Sequence, residues 1–137
     1  LVRPGGVLAV QEGDADFLRC HPPHPAWDRL KRAILAVFAR TGADTFAGRS
    51  AFQRLRWAGL EGVEFRPCVV GARSHDPFAQ YLPETIRSVR RLILEQGLMT
   101  AAELDAALAE CREHLAHPDT ITTSVLVLQV WGRKLVA

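Results

Sequence analysis

The apolar positions along the chain fall into short runs and helical stripes. Val7, Leu8, Ala9 and Val10 form an unbroken apolar run with no polar alternation. Such a run predicts a strand that wants both faces buried, as in a parallel sheet covered by helices. Pro4, Gly5 and Gly6 lead into it as a tight turn, and the acidic segment Gln11, Glu12, Gly13, Asp14 ends it. The two glycines supply the positive φ values that such a turn demands. Trp27, Leu30, Ile34, Val37 and Phe38 then recur at three- and four-residue spacing. That stripe predicts an amphipathic helix with Pro25 in its first turn and Gly42 as its C-cap. A second helix is expected over 49–58, with Phe52 and Leu55 inward and Gly59 as its stop. Residues 63–71 read as a strand. Pro67 cannot donate to a ladder, so that strand belongs at a sheet edge.

Beyond Asp76-Pro77 the pattern turns helical. Leu82, Ile86, Val89 and Ile93 make one face of a helix expected to start at Pro83, with Arg87, Arg90 and Arg91 mostly opposite and Gly97 closing it. Thr100 and Glu103 form a capping box for the next helix, whose stripe is Leu104, Leu108, Cys111 and Leu115 and which stops at His117-Pro118. Residues 73–120 thus read as a helical, lid-like insertion within a single domain over 1–137. The last run, 121–131, is β-branched and leucine-rich, which predicts a central strand buried on both faces. Residues 20–25, CHPPHP, read as a Pro-rich turn that neither helix nor strand continues through.

Composition narrows the function classes. A hydrophobic content of 48% with 23% charged residues is that of an ordinary globular domain. A net charge of +2 gives no case for nucleic acid or an anionic membrane surface as partner. No apolar run approaches the ~20 residues of a membrane helix. Cys20, Cys68 and Cys111 are odd in number and widely spaced, so reduced thiols and a cytoplasmic location are expected. The chain opens with Leu1 and runs at once into a buried-type strand, which suggests a piece of a longer protein.

Three groups of residues carry a family resemblance. Leu1, Arg3, Pro4, Gly5 and Gly6 before an apolar strand resemble the fifth-strand entry of class I S-adenosylmethionine-dependent methyltransferases. Gly48, Arg49, Ala58, Gly59, Leu60 and Val63 resemble that family's junction between a helix and the sixth strand. Trp131, Gly132, Arg133 and Lys134 resemble the close of its seventh strand. The resemblance implies an α/β fold: the C-terminal part of a Rossmann-like methyltransferase sheet. Strands 5, 6 and 7 would be present, with 6 and 7 antiparallel, 7 between 5 and 6, and a helical insertion between 6 and 7.

It also implies what is not in the chain. The family's Gly-rich cofactor loop, its ribose-binding acidic residue and the residues flanking the adenine precede the part matched here. Gly5-Gly6 come before their strand instead of after it, so they cannot serve as that loop. S-adenosylmethionine would therefore be bound mainly by residues absent from this chain, and the chain alone is expected to be inactive. This half would supply the wall around a small-molecule methyl acceptor.

Ligands in open α/β sheets sit beyond the carboxyl ends of strands, which points to Glu12 and Asp14 as acceptor contacts. His21, His24 and Tyr81 join them on segment position. No catalytic residue and no metal ligand is assigned. Cys20, His21 and His24, or Cys111, His114 and His117, lack the two separated pairs of a structural zinc site. Ser74, His75 and Asp76 name the members of a hydrolase triad, but triads are built in space and not by adjacency. Arg87, Arg90 and Arg91 suit either an anion or a solvated face. Two rivals stand beside the methyltransferase reading. One is a non-catalytic α/β module that binds a partner; the other is the tail of a Rossmann-type oxidoreductase, against which the Pro-bearing edge strand argues. The resemblance also implies that the family's fourth strand, which pairs with the fifth, is missing, so Val7 to Val10 would present an open apolar edge and the isolated chain is expected to dimerise or aggregate.

Overall fold

The computed structural model describes residues 2–136; Leu1, part of the Pro-Gly-Gly lead-in, lies outside them. The described residues form a mixed α/β structure with two small antiparallel sheets and five α-helices. It divides into two compact units, one from residues 2–17, 45–69 and 125–136, the other from 18–44 and 70–124.

The first unit is a three-stranded sheet with one helix. Strand β1 (Val7–Asp14) is an edge, and the chain's last strand, Leu126–Lys134, runs antiparallel to it from Val7 opposite Arg133 to Asp14 opposite Leu126. Strand Leu60–Cys68 pairs antiparallel on the other side of that last strand and is the opposite edge, as Pro67 predicts. The last strand is therefore central. The entry turn is closed by Gly5 N–H donating to the Lys134 carbonyl at 2.8 Å and Lys134 N–H donating to Gly6 at 2.9 Å, with Gly5 at φ +72°. One helix, Gly48–Trp57, covers one face through Ala51, Leu55 and Phe52. Beneath it lie Val130, Leu8, Val10, Leu60, Val63 and Leu128. Gly132 admits the edge strand closely, since a Cβ there would stand 3.0 Å from the Val63 side chain.

The burial expected of the first run is corrected here. Val7 is 52% exposed and Ala9 is exposed, while Leu8 and Val10 are half-buried, so β1 alternates. In the last strand Val130 is fully buried but Leu126, Val127 and Leu128 are only half-buried. A single helix covers a single face, and an antiparallel sheet tolerates a solvated second face. Neither sheet is by itself a parallel, Rossmann-like sheet.

The second unit holds the other four helices and a small sheet. In chain order its elements are β2 (Arg19–His21), α1 (Pro25–Arg40), then, after α2 (Gly48–Trp57) and β3 (Leu60–Cys68) of the first unit, β4 (Gly71–Arg73). They continue with α3 (Tyr81–Ser88), α4 (Arg90–Glu95), α5 (Ala101–Ala116) and β5 (Ile121–Thr123); the central strand of the first unit is β6. Strands β2, β5 and β4 pair antiparallel in that order. The α1 stripe is as expected: Trp27, Leu30, Ile34 and Val37 are buried against Leu82, Ile86, Ile93, Leu104, Leu108 and Leu115, core positions of α3, α4 and α5.

Several boundaries differ from the sequence expectation. The run 121–131 splits into β5 and β6, because Ser124 turns inward and donates its backbone N–H to Val70 at 2.8 Å. The expected strand 63–71 ends at Cys68, and Gly71–Arg73 joins the second sheet. Pro83 sits in the first turn of α3 and does not open it, since the first turn has no intrahelical N–H bond to lose. The single helix expected to Gly97 breaks at Val89, which has φ −106°. The segment CHPPHP begins in β2, which stops at His21 before Pro22.

Leu30 is fully buried in the second unit's core. Leu30→Ala is expected to lower unfolding stability by about 2–5 kcal/mol, read from chemical denaturation with unchanged slope.

Candidate functional site

The carboxyl end of β1 brings Asp14 and Arg49 together. Arg49 Nε donates to Asp14 Oδ2 at 2.7 Å and its Nη2 to Asp14 Oδ1 at 2.7 Å and to Asp16 Oδ2 at 2.6 Å. Asp14 Oδ1 also accepts from the Asp16 N–H at 3.0 Å. The guanidinium stands 4.7 Å over the Phe46 ring. Asp14, 4% exposed, is thereby fixed between β1 and the start of α2. The bonds from Asp14 and then Asp16 push the Arg49 pKa further up. A fork of this kind fits a carboxylate at two points, which a lysine could not reproduce. Glu12 is exposed and remains the open carboxylate of the expected pair. Its neighbourhood is tight at the backbone: a Cβ on Gly48 would stand 3.0 Å from the Glu12 and Gly13 carbonyl oxygens. Glycine at 48 is thus what lets α2 approach β1.

His21, His24 and Tyr81 lie in the second unit. His24 is the N-cap of α1, its Nδ1 accepting from the Ala26 N–H at 3.2 Å. Its neutral ring therefore carries the proton on Nε2. The ring stacks on His114 of α5 with centroids 4.5 Å apart, and His114 Nε2 donates to the Pro22 carbonyl at 2.8 Å. These two rings line an open groove of about 610 Å³ with Glu110, Glu113, His117 and Asp119. His21 is exposed on β2. Tyr81 stacks flat on Phe78, centroids 5.1 Å apart, beside a shallow surface groove that includes Glu84 and Ser88. Among the described residues no group of three or more His, Cys, Asp or Glu is arranged to hold a metal ion.

A third feature was not legible in the sequence. A groove of about 510 Å³ runs between α1 and α5 and ends at the turn Leu98-Met99. Its floor is Ala33, Ala36, Ala106, Leu98 and Met99, and its rim is Arg29, Arg32, Glu103 and Glu110. On α1 the positions 29, 32, 33 and 36 share one face by helical spacing, and so do 103, 106 and 110 on α5. The available signal was alanine where a stripe would otherwise carry larger side chains. Alanine excites no attention in a periodicity search, because it is a good helix former on any face. Three of the four rim charges are engaged: Arg29 donates to Glu110 at 2.6 Å, and Glu103 accepts from the Thr100 N–H and hydroxyl at 2.8 Å each.

The remaining chemistry is quiet. All three cysteines are free. Burial pushes the Cys111 thiol up to about 12 and raises the Cys20 thiol, so neither is a ready nucleophile. Asp76 Oδ2 accepts from the Arg73 N–H at 2.8 Å and closes a turn, which accounts for it without Ser74 or His75. No helix among the described residues is long and apolar enough to cross a membrane.

The bonds from Thr100 hold the Glu103 carboxyl below its ordinary value of 4.5. A depressed folded pKa contributes stability that is present above the unfolded value and lost as pH falls through the folded one. The stability difference between the wild-type protein and Glu103→Gln is therefore expected near neutral pH and to shrink below pH 4.5, measured by urea titrations across that window. A difference that grows on acidification would refute the capping assignment.

Compared with known proteins, the chain matches no family model and no curated sequence.

Proposed function

We propose that the chain is the C-terminal, substrate-side portion of an S-adenosylmethionine-dependent methyltransferase acting on a small molecule. The observation that carries this reading is the place of β6: it runs antiparallel between β1 and β3, which makes those two strands parallel to each other. This is the arrangement the resemblance expects of its seventh, fifth and sixth strands. The glycine contacts at Gly48 and Gly132, both within the resembling motifs, add support because each is needed for close packing.

Methyl transfer is an in-line displacement, so positioning and exclusion of water supply much of the rate. A base is required only where the acceptor must lose a proton. On this reading Glu12 is the open carboxylate at the β1 end, Asp14 positions that end through Arg49, and His21, His24 and Tyr81 stand as acceptor contacts of the second unit. S-adenosylmethionine would be held mainly by residues outside this chain. Translating the encoding gene upstream of Leu1 is expected to give a strand followed by a Gly-x-Gly-x-Gly type loop. A reading frame without one sinks the proposal. Calorimetry of this chain alone with S-adenosylmethionine is expected to give no binding; micromolar affinity would place cofactor contacts inside the chain and overturn the assignment.

A non-catalytic module that binds a partner is the second reading, and one observation favours it. Among the described residues no strand pairs with the outer edge of β1, which runs through Val7, Leu8, Ala9 and Val10 without charge or proline. The opposite edge, β3, carries Glu61, Glu64, Arg66, Pro67 and a register shift between Glu61 and Glu64. Those are devices that keep edges from pairing, and β1 has none of them before Glu12. Dimerisation through β1 is expected, with Ala9→Lys shifting the species toward monomer in light scattering. A monodisperse wild-type monomer at high concentration counts against it.

A further inference from the structure

We infer that the groove between α1 and α5 is a binding site for a small amphipathic carboxylate: an aryl or alkyl body seated on the floor, its carboxylate on Arg32. About 510 Å³ lies within the range of ligand pockets and suits a body of one or two rings. The floor then sets the body's chemistry. Ala33, Ala36, Ala106, Leu98 and Met99 offer only apolar side chains, Met99 with the adaptable one that accommodates irregular shapes.

The rim sets the charge. It carries Arg29 and Arg32 against Glu103 and Glu110, balanced in formal charge. The balance is not local. Arg29 is paired with Glu110 at 2.6 Å, and Glu103, still anionic, is held at the α5 cap by two bonds from Thr100 to its Oε2. Arg32 makes no hydrogen bond or ion pair with any described residue. The groove therefore presents one unengaged guanidinium beside an apolar floor. A guanidinium fork meets a carboxylate at two points.

The inference does not rest on methyl transfer. A gene lacking a cofactor loop would remove the transferase reading and leave this site standing, and a failed binding test would do the reverse.

The experiment titrates the full chain with two probes of one shape and opposite charge, 1-naphthylacetate and 1-naphthylmethylamine, by calorimetry. Saturable one-to-one binding of naphthylacetate is expected, with the amine roughly tenfold or more weaker, as one lost charged hydrogen bond implies. Arg32→Gln should weaken naphthylacetate by a similar factor while leaving the uncharged 1-naphthylmethanol unchanged. Ala106→Trp fills the floor from an exposed α5 position and should abolish binding of all three probes, with the thermal midpoint of each variant confirming that it folds. Equal affinity for acid and amine overturns the proposal. So does wild-type affinity in Arg32→Gln, which would move the anion contact elsewhere.

Discussion

Much of the first unit depends on one clamp. The chain leaves this unit after Phe17 and re-enters it at Thr45, so the end of β1 and the start of α2 must be held together across a long excursion. Three interactions do so: the Ala15 N–H donates to the Thr45 carbonyl at 3.0 Å, Arg49 grips Asp14 and Asp16, and Gly48 lets the helix backbone approach the Glu12 and Gly13 carbonyls. A cation at a helix N-terminus is unfavourable by the helix dipole, and two aspartates beside Arg49 offset that. Once α2 is anchored, Ala51, Leu55 and Phe52 cover Val130 and the half-buried faces of β1 and β3.

The same residues explain how far the sequence could be read. Long periodic segments declared themselves: the α1 stripe, the capping box at Thr100 and Glu103, the edge position enforced by Pro67, and the central place of β6. Strands β2, β4 and β5 span three residues each and are too short for any period to register. The apolar run Val7, Leu8, Ala9, Val10 showed a strand but not how many of its faces are covered, because apolar side chains permit burial without enforcing it. Asp14 was placed correctly at a strand end, and its engagement there was hidden. A carboxylate aimed at a ligand and one committed to an arginine 35 residues later look identical in sequence.

Arginine pairing separates candidates that composition could not. Arg87 bonds Glu84 at 3.1 Å, Arg90 bonds Asp105 at 2.6 Å, and Arg91 lies 3.6 Å from Glu95. Arg90 and Asp105 stabilise each other's charged forms, raising the guanidinium and lowering the carboxyl. Exposed pairs of this kind contribute little stability, on the order of 0–1 kcal/mol. Arg87 and Arg90 nevertheless commit donors that an anion would need, and Arg91 is 83% exposed, so this trio reads as a solvated helix face. Arg32 differs in its setting and not in its chemistry. The acids on the rim of its groove are held by Arg29 and Thr100, and the floor beside it is alanine, leucine and methionine. Pairing thus separates Arg87 and Arg90, which hold acids, from Arg32, which holds none among the described residues.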